Sequence, residues 1–334
     1  MNPFDGSKLL GQLPVVTKYL EGDSYAPIQV EIDLTNRCVS ACPWCAGYLE
    51  RHKSQHELDT ATALRVVDEL EQLGVKSITW TGGGDPTQHR DFRKIVEHVA
   101  ATTKLQQALI THGVVPVLPV LHCFEWVRFS VDAATVEGYA KQHGRAAHFD
   151  KVLENVSDCA NAKQGTTIGV GFVTHVETWD EVLAFAAMWR DVPIDYIQFR
   201  PLQDTHGQSW ETDCQHVAQL VDDARRVDAR VVSVAAKYEA IRRGEDGRTG
   251  SCYGIFFDTA LAADGFVYVC CHHKGNKKYA IGNVEQSSFG EIWAKHLQRR
   301  SFEVVSECPS FCRHYASNKL LESVVRERTH PNFI

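Results

Sequence analysis

Six short runs rich in Val, Ile, Phe and Thr recur through the first 200 residues, separated by stretches whose apolar residues return every three or four positions. The runs are Gln29–Leu34, Ser77–Thr81, Gln107–Thr111, Trp126–Val131, Thr167–Thr174 and Tyr196–Arg200, and their composition suits β-strands. The intervening stretches Asp59–Leu73, Arg93–Thr102, Asp150–Ala162 and Asp180–Arg190 read as amphipathic helices. The first offers Asp59 or Thr60 as N-cap, repeats Leu64, Val67, Leu70 and Leu73, and meets Gly74 as a stop. Strand and helix in strict alternation produce a parallel sheet with right-handed crossovers. The pattern predicts an α/β fold, a partial (β/α)6 TIM-like barrel two units short of the closed eightfold form.

The pattern changes past about residue 230. Arg242–Gly250 (RRGEDGRTG) reads as a linker or exposed loop, Thr259–Cys270 as a hairpin turning at Asp264-Gly265, and Phe289–Arg299 as a helix. The division expected is an N-terminal extension (1–28), the barrel (29–235) and a small cysteine-rich α+β domain (236–334) whose core is too small to stand without a cofactor. A net charge of −7 argues against a globally basic nucleic-acid binder. No stretch approaches the ~18 apolar residues of a membrane span. The N-terminus lacks a basic segment followed by an apolar one, so a cytoplasmic chain with no membrane partner is expected.

Eleven cysteines are many for such a chain. Without a secretion signal, disulfides explain them poorly, and metal or cluster ligation leads. Cys38, Cys42 and Cys45 stand in the segment Asn36-Arg37-Cys38-Val39-Ser40-Ala41-Cys42-Pro43-Trp44-Cys45, directly after the first strand. A loop there opens on the C-terminal mouth of a parallel barrel, where active sites sit. Three thiolates leave one coordination position open. That is a defect in a structural zinc site, but in a [4Fe–4S] cluster it frees one iron for a small molecule.

The C-x3-C-x2-C spacing, with an aromatic before the third cysteine, resembles the signature of the radical S-adenosylmethionine (radical SAM) enzymes. The resemblance implies that Cys38, Cys42 and Cys45 hold a [4Fe–4S] cluster whose open iron binds SAM, with Trp44 helping to cradle it. Thr81-Gly82-Gly83-Gly84-Asp85-Pro86 is similar to the family's G-G-E-P turn, so Gly83, Gly84 and Asp85 are expected at the SAM amino group; an ordinary strand-to-helix turn is the competing reading. Ser130 and Asp132 resemble the family's polar contacts to the ribose or carboxylate, against a role as strand-end caps. Gly169, in Ile168-Gly169-Val170-Gly171-Phe172, falls where the family's backbone meets adenine, with a packing role as the competing reading for Gly171. Arg200 is a candidate for the SAM carboxylate or the substrate, against a structural ion pair.

Cys252 and Cys270 form a C-x12-G-x4-C run with Gly265, and Cys308 and Cys312 a C-x3-C pair. This resembles the SPASM extension of radical SAM enzymes in its shortened, Twitch form. The resemblance implies one auxiliary [4Fe–4S] cluster ligated by these four thiolates, with zinc as the alternative. Cys271 neighbours Cys270, and adjacent residues on a strand face opposite ways, so only one of them is expected to ligate. The Gly spacing favours Cys270. Cys271, Cys123, Cys159 and Cys214 read as core residues. His272 and His273 are catalytic candidates for substrate contact or proton transfer, although solvated surface histidines are the more ordinary reading.

These readings imply a radical SAM oxidoreductase or isomerase, reduced by a donor such as flavodoxin or ferredoxin. The substrate expected is a small molecule, a sugar or a nucleotide-type compound. No peptide-binding segment is evident before the first strand, which disfavours a leader-dependent peptide maturase. That maturase, a nucleobase-modifying isomerase and a non-catalytic zinc module stand as alternatives.

Overall fold

A computed structural model describes residues 6–45, 54–202, 214–233, 235–245, 248, 250–310 and 312–325. Helix α1 (Leu13–Glu21) leads to β1 (Gln29–Asp33). Then follow α2 (Thr60–Leu73), β2 (Ser77–Thr81), α3 (Phe92–Thr102), β3 (Gln106–Thr111), β4 (Trp126–Ser130), α4 (Val136–His143) and α5 (Phe149–Ala162). The barrel continues through β5 (Thr167–Thr174), α6 (Val182–Met188), β6 (Tyr196–Pro201), α7 (Cys214–Val227), β7 (Val231–Ser233) and α8 (Ala235–Arg242). The C-terminal part adds β8 (Asp258–Leu261), β9 (Phe266–Tyr268), β10 (Ala280–Asn283), α9 (Phe289–Leu297) and α10 (Tyr315–Val325). All six expected strands form within a residue of their expected limits. The expected helix Asp180–Arg190 is shorter, a 3-10 turn over Trp179–Glu181 running into α6.

The ten strands make one sheet in the order β10-β9-β8-β1-β2-β3-β4-β5-β6-β7. Its parallel part has eight strands rather than six, because β7 and β8 add one to each side. β8 belongs to the C-terminal part yet pairs with β1, Gln29 opposite Asp258 through Ile32 opposite Leu261. The expected boundary at 235/236 is therefore not a break in the sheet. β8 and β9 form the expected hairpin, with Gly265 at φ +78°, a left-handed conformation that favours glycine. β7 and β10 are the two edges, so the barrel stays open.

The two faces of the sheet differ in chemistry. Val30, Ile32, Ile78, Trp80, Leu109, Val127, Phe129, Ile168, Val170, Phe172, Ile197 and Phe199 are all buried on the outward face, where the helices pack. Strand alternation and register put Glu31, Asp33, Thr79, Arg128, Ser130, Gly169, Gly171, Gln198, Arg200 and Asp258 on the inward face. A closed barrel fills its interior with branched apolar side chains. Here charged, polar and glycine positions share the interior with Ile110, Trp126, Val173 and Tyr196, a mixed lining that suits a ligand chamber.

Candidate active site

The loop carrying Cys38, Cys42 and Cys45 leaves the C-terminal end of β1 and is braced from two sides. On one side stands the turn after β2, where Gly84 N donates to Thr35 O at 2.9 Å and Asp85 N to Arg37 O at 2.8 Å. A Cβ at Gly83 would sit 2.1 Å from Asn36 Oδ1, and one at Gly84 2.0 Å from Arg37 O. These glycines thus let two loops pack against each other. The Asp85 carboxylate accepts from Thr87 N and Thr87 Oγ1 through one oxygen, and from Thr111 Oγ1 (2.8 Å) and His112 N (2.7 Å) through the other. Buried and so occupied, it fixes the turn, leaving the turn's backbone as what a ligand can meet.

On the other side stands the end of α4, which carried no recognisable motif. Ala41 N donates to His143 O at 2.9 Å, and His143 Nδ1 lies 3.3 Å from Cys42 Sγ. Trp44 Nε1 donates to Gln142 Oε1 at 2.6 Å, and His175 Nε2 donates to the same oxygen at 3.0 Å. Trp44 is therefore held by its indole N–H at the rim of the loop. The only available signal for Gln142 and His143 was their place at a helix end before Gly144, whose φ of +71° stops the helix.

Asp132 adopts φ +56°, which Asp tolerates better than most residues. Its Oδ1 accepts from Val173 N at 2.7 Å, as a strand-end cap would. Its Oδ2 is buried without a hydrogen-bond partner, 3.5 Å from His143 Nε2. Ser130 sits at the end of β4, opposite Gly171. Gly169 has a packing reason, since a Cβ there would lie 2.0 Å from Tyr196 Cζ. Arg200 is half-buried, with an orphaned Nε.

Cys252, Cys270 and the Cys308/Cys312 pair come from three separate segments of the C-terminal part. Burial pushes the Cys252 thiol up to about 11, and Cys312 and Cys308 add to that rise. Burial likewise raises Cys270, helped by Cys252, Cys312 and Cys308. Asn318 Nδ2 donates to Cys252 Sγ at 3.5 Å, while its Oδ1 accepts from Tyr253 N and Gly254 N, both at 2.9 Å. Among the described residues, no three Cys, His, Asp or Glu converge closely enough for a single metal ion. The all-thiol donor set fits a polynuclear iron–sulfur group, which is wider than one ion.

Two expectations need correction here. His272 and His273 are not solvated. His273 is 3% exposed, its ring lies 3.9 Å from that of Tyr279, and its Nε2 is 3.4 Å from Cys308 Sγ. Burial, with Lys237 nearby, lowers His272 to about 3, and its Nε2 is orphaned. Cys271 is not a core residue either: it is half-buried, with Arg313 Nη1 3.9 Å from its sulfur. Cys123 and Cys159 do lie in the apolar core, and the Cys214 side chain is outside the described residues.

An open parallel barrel with a three-cysteine loop at its mouth, joined to a second thiol set, defines an iron–sulfur enzyme of the radical type. The family model of the radical SAM superfamily matches residues 32–188, and that of the SPASM iron–sulfur cluster-binding domain residues 252–314. Two similar relatives are PqqA peptide cyclases. That of Gluconobacter oxydans is 35% identical over 301 residues, 86% of this chain and 82% of the relative. That of Ruegeria pomeroyi is 38% identical over 311 residues, 86% of this chain and 79% of the relative. In fold the chain is similar to SuiB of Streptococcus suis, solved bound to precursor peptide SuiA, with a TM-score of 0.69 at 13% identity over 91% of this chain and 74% of that one. The chain belongs to the radical SAM superfamily and carries a SPASM-type domain. It is a radical SAM enzyme whose cofactors are SAM, a SAM-binding [4Fe–4S] cluster and auxiliary iron–sulfur ligation. Among the described residues, no helix is long and apolar enough to cross a membrane.

Proposed function

We propose that this chain is a radical SAM maturase that modifies a peptide. The observation that carries the reading is its similarity, over most of both lengths, to relatives named PqqA peptide cyclases. The small-molecule, sugar or nucleotide substrate expected from sequence gives way to the alternative named beside it.

In this reading Cys38, Cys42 and Cys45 ligate the SAM-binding cluster, and Cys252, Cys270, Cys308 and Cys312 ligate a single auxiliary one. Bound there, the first cluster supplies the electron that cleaves SAM to methionine and a hydrogen-abstracting deoxyadenosyl radical. The protein's own part is orientation and exclusion of water. Trp44, pinned by Gln142, closes the rim of the loop. The Gly83-Gly84-Asp85 backbone and Ser130 face SAM. Asp132 and His143 fix the geometry behind Cys42. If Cys252, Cys270, Cys308 and Cys312 all ligate, an iron–sulfur group held by them would have no iron open to substrate and would supply electron transfer, which suits an oxidative cyclisation.

The test is anaerobic incubation of the reconstituted protein with dithionite, SAM and a PqqA peptide, followed by mass spectrometry. Ring closure between two C–H or X–H groups removes two hydrogens from the peptide. Deoxyadenosine formation with no change in peptide mass would remove this reading. Continued SAM cleavage by a Cys38/Cys42/Cys45→Ala variant would remove the ligand assignment.

A further inference from the structure

We propose that Lys274 and Arg313 are positioning residues: each ties an auxiliary thiol segment to β1, the strand that feeds the three-cysteine loop, so that the two thiol sets are held at one separation. β1 presents Glu31 and Asp33 on its inward face, and Cys38 follows shortly after. Lys274 Nζ donates to Asp33 Oδ1 at 2.8 Å. Arg313 pairs with Glu31 through Nη1 and with Asp258 of β8 through Nη2, the latter at 2.9 Å. The same Nη1 lies 3.9 Å from Cys271 Sγ, so Arg313 also meets the segment that carries Lys274.

The sequence sets each cation close behind a thiol. Arg313 follows Cys312 directly, and Lys274 comes soon after Cys270 and Cys271. Neither cation lies in a strand: Lys274 follows the 3-10 turn Cys271–His273, and Arg313 precedes α10. The ladder that runs from β1 through β8 to β9 ends at Tyr268, before Cys270. The ion pairs reach β1 from beyond that point.

Stability alone does not account for them. Glu31 and Asp33 are both buried. Replacing a buried ion pair by apolar residues of similar volume is often neutral or stabilising, and the best-attested use of such polar groups is to fix register. Apolar contact is non-directional and lets segments slide, whereas a charged hydrogen bond holds one geometry. Electron transfer between two clusters depends steeply on their separation, which gives a fixed geometry a use in this enzyme. The proposal rests on the ligand assignment above and not on the peptide reading.

The experiment uses anaerobically reconstituted holoenzyme with both clusters reduced by dithionite. Pulsed dipolar electron paramagnetic resonance reads the distance distribution between them, and the parent is expected to show a single narrow distance. Two variants remove the charges without stranding a partner: Asp33→Asn with Lys274→Met, and Glu31→Gln with Asp258→Asn and Arg313→Met. Each is expected to keep about eight irons per chain and lose the narrow distance, or to fall to about four by losing auxiliary iron alone. In the first case the separation has been released, and in the second the thiols no longer converge. The proposal is overturned by a broad distribution in the parent, or by an unchanged distribution in either fully loaded variant. It is equally overturned if a variant loses the iron held at Cys38, Cys42 and Cys45, since the pairs would then serve folding as a whole. The ligand assignment fails separately, on SAM cleavage without those three cysteines, and the peptide reading on an unchanged peptide mass.

Discussion

His143 Nδ1 stands 3.3 Å from Cys42 Sγ, while Nε2 of the same ring stands 3.0 Å from Val131 O. A thiolate only accepts, so His143 can brace Cys42 by donating from Nδ1, and Asp132 Oδ2 lies 3.5 Å from the other ring nitrogen. Donation to sulfur stabilises the reduced cluster. His143→Phe is expected to lower the midpoint potential of the SAM-binding cluster by some tens of millivolts, about 1 kcal/mol for each 40 mV in a one-electron couple. Redox titration followed by electron paramagnetic resonance reads the shift, and an unchanged potential would refute the donor role.

Lys274 reaches from the loop after Cys270 and Cys271 to Asp33 at the end of β1, at 2.8 Å. Asp33 is buried and Lys274 largely so, with side chains 1% and 16% exposed. Removing one partner strands a buried charge, so Lys274→Met should destabilise the fold by about 3–5 kcal/mol. Asp33→Asn combined with Lys274→Met should recover part of that loss. Thermal unfolding of the two single variants and the double variant completes the cycle.

Cys270 senses Cys252, Cys312 and Cys308, whereas Cys271 lies beside Arg313. Cys270→Ser should cost the auxiliary cluster, taking iron from about eight to about four atoms per chain. Cys271→Ser should retain the full complement. Iron and sulfide assays distinguish the two, and the reverse pattern would exchange the assignments.

Burial lowers His296 to about 4, and its ring donates to Ile255 O at 3.0 Å. The unfolded chain takes up this proton near pH 6.5 and the folded chain only near pH 4, so the unfolded state holds more protons in between. Stability from this residue is fully present above pH 6.5 and is lost as pH falls toward 4. Between pH 6.5 and 5 the loss is about 2 kcal/mol. His296→Gln should flatten this part of the stability profile, measured as the difference in denaturant midpoint from the parent at each pH.

The sheet was readable where one face of a strand carries an unbroken apolar set, as Val127 and Phe129 do on β4. It was not readable at β7, only three residues long. The β8–β9 hairpin was visible in its turn residues, but no local pattern says that Asp258 lies opposite Gln29. The Cys38, Cys42 and Cys45 loop announced itself by spacing. Its brace did not, because Gln142 and His143 reach it from a helix about a hundred residues onward, and polar residues on a short helix ordinarily face water. The same prior misplaced His272 and His273, whose burial comes from distant segments packing over them.

β1 has β2 on one side and β8 on the other. The strand that feeds the three-cysteine loop therefore cannot complete its hydrogen bonding until the far end of the chain has been synthesised. A nascent chain halted after β7 would present a naked central strand as a template for intermolecular pairing. Pairing of β1 with a strand more than two hundred residues onward is a long-range contact of the kind that slows folding.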